Sequence, residues 1–112
     1  MLNFLKQKPK DIKTLRREIL DFIKVQLKKA ESGEGENIKC LQLYVTCDVQ
    51  DKFLYEGALH AENENKFREE VQKIADDFAI DLPANWLLQI MFNEPAPSEA
   101  IRSADTEVAL LI

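Results

Sequence analysis

The spacing of apolar residues between positions 12 and 30 places the strongest constraint on the fold. They recur at three- and four-residue steps, which puts them on one face of a helix. The repeating apolar positions are Ile12, Leu15, Ile19, Phe22, Ile23, Leu27 and Ala30. Pro9 suits the first turn of such a helix, and the polar, glycine-containing residues 32–37 suit its end. We therefore predict a helix over roughly residues 10–31.

The length of the chain requires this helix to supply a large part of the core. A chain of 112 residues is long enough for one hydrophobic core and too short for two. We predict a short tail at residues 1–9 and a single α+β domain at residues 10–112. The sequence finishes on three large aliphatic residues, whereas the last residues of a domain are normally polar. We therefore expect the N-terminal part of a longer protein.

Alternation of apolar and polar residues predicts a strand at residues 38–47. One face of this strand carries Leu41, Leu43, Val45 and Cys47, and the other carries Gln42, Tyr44 and Thr46. Only a short polar connection follows. Residues 52–59 are therefore predicted to form a second strand, paired antiparallel with the first as a hairpin.

The second half of the chain predicts one more helix and two more strands. The helix has an apolar stripe of Phe67, Val71, Ile74, Ala75 and Phe78, and it ends before Pro83. Residues 86–93 are apolar at both parities, which is typical of a buried, central strand, and residues 107–112 suit a last strand. The predicted order is α-β-β-α-β-β, with two amphipathic helices on one face of a mostly antiparallel sheet of three or four strands.

No residue pattern indicates a catalytic, cofactor or metal site. His60 is the only histidine, and no ligand-spaced Cys accompanies it, so it is interpreted as a solvated residue at a strand end. Cys40 and Cys47 would point to opposite faces of one strand, which disfavours a disulfide or a metal pair and favours free thiols. The chain is therefore expected not to be an enzyme, although small domains can hold catalytic carboxylates that no spacing rule reveals.

The charge of the chain is unevenly distributed. Residues 1–30 hold nine Lys or Arg and three acids, whereas the overall net charge is −5 and argues against a general nucleic-acid binder. The candidate interaction surface consists of basic residues outside the apolar stripe: Lys13, Arg16, Arg17, Lys24 and Lys28. Such a face is typical of a solvated structural helix, and also of peripheral binding to an anionic membrane or nucleic acid.

The chain lacks the sequence signals of a membrane or secreted protein. No stretch approaches the ~20 apolar residues that a membrane span needs. At the start of the sequence the apolar residues precede the lysines, the reverse of a secretory signal. We expect a cytoplasmic location.

Several segments between Asp11 and Ile112 carry a family resemblance. They are the basic leading helix, Leu43-Tyr44-Val45, Leu54-Tyr55-Glu56, residues 74–83 and Trp86-Leu87-Leu88-Gln89-Ile90. This set resembles the non-catalytic module that precedes a forkhead-associated domain in some bacterial proteins.

The resemblance implies a role but no site. In that family the phosphothreonine-reading residues belong to the downstream domain, so none is carried onto this sequence. The resemblance implies an interaction, regulatory or scaffolding module of a phosphorylation-linked signalling protein, with a protein partner or an adjacent domain. The alternative is a peripheral membrane- or nucleic-acid-binding domain that uses the basic first helix.

Overall fold

The computed structural model describes residues 11–34 and 38–112, which form three helices and four strands. The elements are α1 (Ile12–Glu34), β1 (Cys40–Val45), α2 (Val49–Ala58), α3 (Glu64–Asp77), β2 (Leu87–Phe92), β3 (Ile101–Arg102) and β4 (Val108–Leu111). The predicted α+β class is confirmed. The predicted order is wrong, because the described elements run α-β-α-α-β-β-β. The predicted tail at residues 1–9 lies outside the described residues.

Helix α1 forms where the apolar spacing predicts it. Asp11 caps its first turn, because the Thr14 amide donates a hydrogen bond to Asp11 Oδ1 at 2.7 Å. The helix continues to Glu34, past the predicted end near residue 31. The Ser-Gly pair at residues 32–33 did not stop it, since one glycine costs a helix only about 1 kcal/mol relative to alanine.

The predicted second strand at residues 52–59 is wrong, because this segment lies in and just after helix α2. Its buried residues are Tyr55, Ala58 and Leu59, a three- and four-residue spacing, whereas Phe53 is 77% exposed. Tyr55 also joins α2 to the sheet, since its hydroxyl accepts a hydrogen bond from the Glu107 amide at 2.9 Å. The apolar run fits both periods, and burial of the helical face decides between them.

Without a hairpin after β1, the sheet has a different topology from the one predicted. The strand order is β2-β1-β4-β3, with β1 parallel to β2 and β4 antiparallel to both β1 and β3. The sheet is therefore mixed, not mostly antiparallel. Helices α2 and α3 form the crossover that a parallel pair requires.

The prediction that residues 86–93 form a central strand is also wrong. Strand β2 lies at one edge of the described sheet, and Leu87 on it is 60% exposed. Its apolar residues at even positions pack against the core, and those at odd positions lie on the opposite face. An edge strand with apolar residues on both faces therefore produced the pattern of a central one.

The core lies between the sheet and the helices. The predicted inner face of β1 is confirmed, since Leu41, Leu43 and Val45 are completely buried. Side chains from all three described helices join them in one cluster, so the helices pack on one face of the sheet. We call this the core face and the opposite one the outer face. Three helices cover the core face instead of the two predicted.

Candidate interaction surface

The basic residues predicted as an interaction surface do not form one continuous charged face. Arg16 is half-buried and donates hydrogen bonds of 2.9 Å to the carbonyl oxygens of Gly57 and Ala58 at the end of α2. Lys13 and Arg17 are exposed. Arg16 therefore joins two helices.

Two more of the predicted basic residues contact an aromatic ring. The Lys24 and Lys28 ammonium groups lie 4.5 and 5.6 Å from the centre of the Phe78 ring. These distances are typical of cation–π contacts between α1 and the residue that follows α3. The contacts hold both lysines next to the protein and reduce their freedom to reach an external anion.

No described helix covers the outer face of the sheet. Side chains at alternate positions of β1, β2 and β4 lie on it. Its apolar members are Cys40, Tyr44, Leu87, Met91, Ala109 and Leu111. Tyr44 and Ala109 are themselves buried, whereas Leu87 is open to solvent. The exposed apolar part of this face therefore lies at Leu87 on β2, and exposed apolar area of this kind is typical of a contact surface.

A row of polar groups crosses this outer face. Gln42 and Gln89 lie side by side in the parallel pairing, and Gln42 Nε2 donates to Gln89 Oε1 at 2.9 Å. The Tyr44 hydroxyl donates to Gln42 Oε1 at 3.3 Å. The outer face thus combines apolar side chains with amide groups and contains no charged residue on β1 or β2.

The free edge of β2 presents backbone groups to solvent. The Leu87 and Asn93 amides donate to Lys39 and Val45 carbonyls in the direction of β1. Because successive residues of a strand face alternate edges, Leu88, Ile90 and Phe92 present their amides and carbonyls away from β1. No described strand lies on that side.

Arg68 covers only the start of this edge. Its guanidinium stacks on the Trp86 ring at 4.4 Å and donates to the Trp86 carbonyl oxygen at 2.7 and 3.1 Å. Trp86 has the same parity as Leu88, so this carbonyl belongs to the outward-facing series. The protein therefore covers the first outward carbonyl.

A separate groove of about 530 Å³ lies between α2 and α3. His60 lies here in the turn between the two helices, with a positive φ of 53°, and not at a strand end as predicted. Its Nε2 is 2.5 Å from Glu70 Oε2. Exposed Phe53 lines the groove together with Glu56, Glu62 and Lys66. Among the described residues, no group of His, Cys, Asp or Glu is arranged to hold a metal ion.

Both cysteines are free, half-buried thiols. Cys40 starts β1, and Cys47 lies beyond its end. Burial raises the pKa of the Cys47 thiol, and the nearby carboxylates of Asp51, Asp48 and Glu107 raise it further. A thiol with a raised pKa is a poor nucleophile near neutral pH.

The sequence predicted a strand at residues 86–93 but not its position at the edge of the sheet. Apolar residues at both parities of this run predicted a strand buried in the centre of the sheet. The useful signal was Gln89, a polar residue in the middle of an otherwise apolar strand. It lies on the outer face, at an exposed position.

Comparisons with known proteins gave no significant match. No protein-family model matches the chain, and neither curated proteins nor solved structures gave a significant match. None of the helices in the described part of the chain combines the length and apolar character that crossing a bilayer requires.

Proposed function

We propose that this chain is a non-catalytic protein-interaction module that binds through the outer face and the free β2 edge of its sheet. The observation that carries the proposal is the exposure of Leu87, at 60%, on the outer face, next to half-buried Met91 and Leu111. Burial of apolar area stabilises a complex by about 25 cal/mol per Å². A partner on this face would remove apolar area from water.

The proposed setting is phosphorylation-linked signalling in the cytoplasm. The resemblance to the module ahead of a forkhead-associated domain supports a scaffolding role, in which the sheet docks a partner or an adjacent domain. This role needs no catalytic group in the module itself.

The basic face of α1 is a weaker candidate surface. Arg16 is engaged with α2, and Lys24 and Lys28 lie against Phe78. The exposed cations of the predicted set are Lys13, Arg17 and Lys28. Binding to anionic vesicles or nucleic acid that weakens steeply with salt would favour this alternative.

The test compares two lysine variants in quantitative affinity capture from cells that express the protein. Leu87→Lys places a charge on the outer face, whereas Val49→Lys makes the same kind of change at an 89%-exposed position on α2. We expect a defined set of partners to bind wild type and Val49→Lys equally and to be lost with Leu87→Lys. Captured partners are then purified and retested by titration with the labelled domain.

The result for Leu87→Lys decides whether the outer face is the contact surface. If Leu87→Lys retains every partner that wild type binds, the outer face is not the contact surface and the proposal fails. Both variants must first give the circular dichroism and amide spectra of the folded wild-type chain.

A further inference from the structure

The free edge of β2 lacks the usual protections of an exposed edge strand. Natural proteins block such edges with charged side chains, prolines, bulges or very short strands. β2 is six residues long and contains none of these residue types, whereas β3, at the opposite edge, has only two residues and carries Arg102. An unblocked edge of this kind pairs readily with another strand.

The parity of the outward backbone groups selects a pairing partner and a register. Leu88, Ile90 and Phe92 each present an amide and a carbonyl. In an antiparallel pair, residues opposite each other at hydrogen-bonded positions exchange both bonds. If the twofold axis passes through the pair of Ile90 residues, Ile90 of one copy lies opposite Ile90 of the second copy. Leu88 then lies opposite Phe92 of the second copy. Every outward amide and carbonyl of these three residues then finds a partner.

The neighbouring register satisfies fewer groups. With Gln89 opposite itself, Leu88 pairs with Ile90, but Phe92 faces Trp86 of the second copy. The Trp86 carbonyl already accepts two hydrogen bonds from Arg68. Of these two registers, the one centred on Ile90 therefore uses the whole edge.

Side chains also suit pairing of the strand with a copy of itself. Leu88, Ile90 and Phe92 are half-buried and pack against the core, so a second copy would continue the apolar layer. On the outer face Gln89 would lie opposite Met91 of the second copy. No charge meets a like charge in this arrangement, because β2 carries no charged residue.

We propose that the partner at the β2 edge is a second copy of this chain, joined through antiparallel β2 strands into one continuous sheet across a twofold axis. This inference rests on the proposed interaction function and assigns the occupant of its edge. A twofold contact covers the same edge on both copies and leaves neither β2 unpaired. The outer face stays available for a different protein.

Sedimentation equilibrium of the full chain tests the proposal directly. We expect a concentration-dependent shift from 12.9 kDa to twice that mass. In the double variant Gln89→Lys/Met91→Lys, the new lysines of the two copies lie directly opposite each other across the paired β2 strands. The dissociation constant of the dimer should therefore rise about tenfold or more. In Gln89→Glu/Met91→Lys, opposite charges meet at the same positions, and the dimer should return.

The two double variants control for each other. Both lose the same side chains and the same contact with Gln42, so only the sign of one charge differs. A monomer at every concentration, or a dimer that the lysine pair leaves unchanged, would overturn the second-copy assignment. Equal weakening by both double variants would refute the register. A monomer would refute the second-copy proposal only. The outer-face proposal is tested separately by the comparison of Leu87→Lys with Val49→Lys, so the two failures are distinguishable.

Discussion

Removal of the Arg16 guanidinium should destabilise the fold, although the sequence places Arg16 among solvated basic residues. The side chain leaves α1 and donates hydrogen bonds to two carbonyl oxygens, those of Gly57 and Ala58, both at 2.9 Å. These carbonyls lie at the C-terminal end of α2, where intrahelical donors run out and the helix dipole is negative. Arg16 therefore completes a helix end from a neighbouring helix.

The expected loss of stability in Arg16→Ala follows from the hydrogen bonds that Arg16 donates. Hydrogen bonds from a charged donor contribute about 1.5–3 kcal/mol, and we take the lower end because Arg16 is half-buried. A cation at a helix C-terminus adds about 0.5 kcal/mol. The Gly57 carbonyl keeps the His60 amide as a second donor at 3.3 Å. We therefore expect Arg16→Ala to lower the free energy of unfolding by about 2 kcal/mol, and the melting temperature by roughly 10 °C.

Urea unfolding followed by circular dichroism measures this change. Arg17→Ala is the matched control, since it removes the same charge from the adjacent, exposed position and should change stability by about 0.5 kcal/mol or less. Arg16→Lys should fall between wild type and Arg16→Ala, because lysine keeps the charge and loses the planar fork. Equal stabilities for Arg16→Ala and Arg17→Ala would refute the structural role of Arg16.

Two further predictions concern Tyr55 and Cys47. Tyr55→Phe should cost about 1–2 kcal/mol in urea unfolding, because the Glu107 amide loses its acceptor, whereas Tyr44→Phe should cost less; equal costs would contradict this. Iodoacetamide labelling of Cys47, followed by mass spectrometry across pH, should reach its half-maximal rate at higher pH in the folded than in the unfolded chain, because burial, and then Asp51, raise the pKa of the thiol. The stability that this thiol contributes is complete below its ordinary pKa of 9.0 and is lost as pH rises through the higher folded value. Coincident labelling profiles would refute this shift.

Local patterns predicted the elements that have one buried face. The stripe through Leu15 and Ile19 gives α1, and the alternation through Leu41 and Leu43 gives β1, since burial follows the period in both. The prediction for residues 52–59 was wrong because their apolar run fits the period of a helix as well as that of a strand. Packing against α1 and the sheet, which are distant from these residues in the sequence, stabilises the helix here.

The candidate surface was less predictable than the fold. The sequence selected cations on α1, but Arg16 contacts a backbone that only the tertiary structure brings close. The composition of β2 did not indicate that it is an edge strand, since Leu87 and Met91 suit a buried strand as well as an exposed contact face. Strand order decides between these cases, and no local period encodes it.

The central position of β1 has a consequence for synthesis. Its neighbours in the sheet are β2 and β4, which the ribosome makes only after all the described helices. The emerging chain can form helices but cannot assemble this sheet until residues 108–111 have left the exit tunnel. Until then the apolar side chains of β1 and α1 lack their final contacts. Nascent-chain stalling before residue 108 should therefore leave a protease-sensitive intermediate that chaperones recognise.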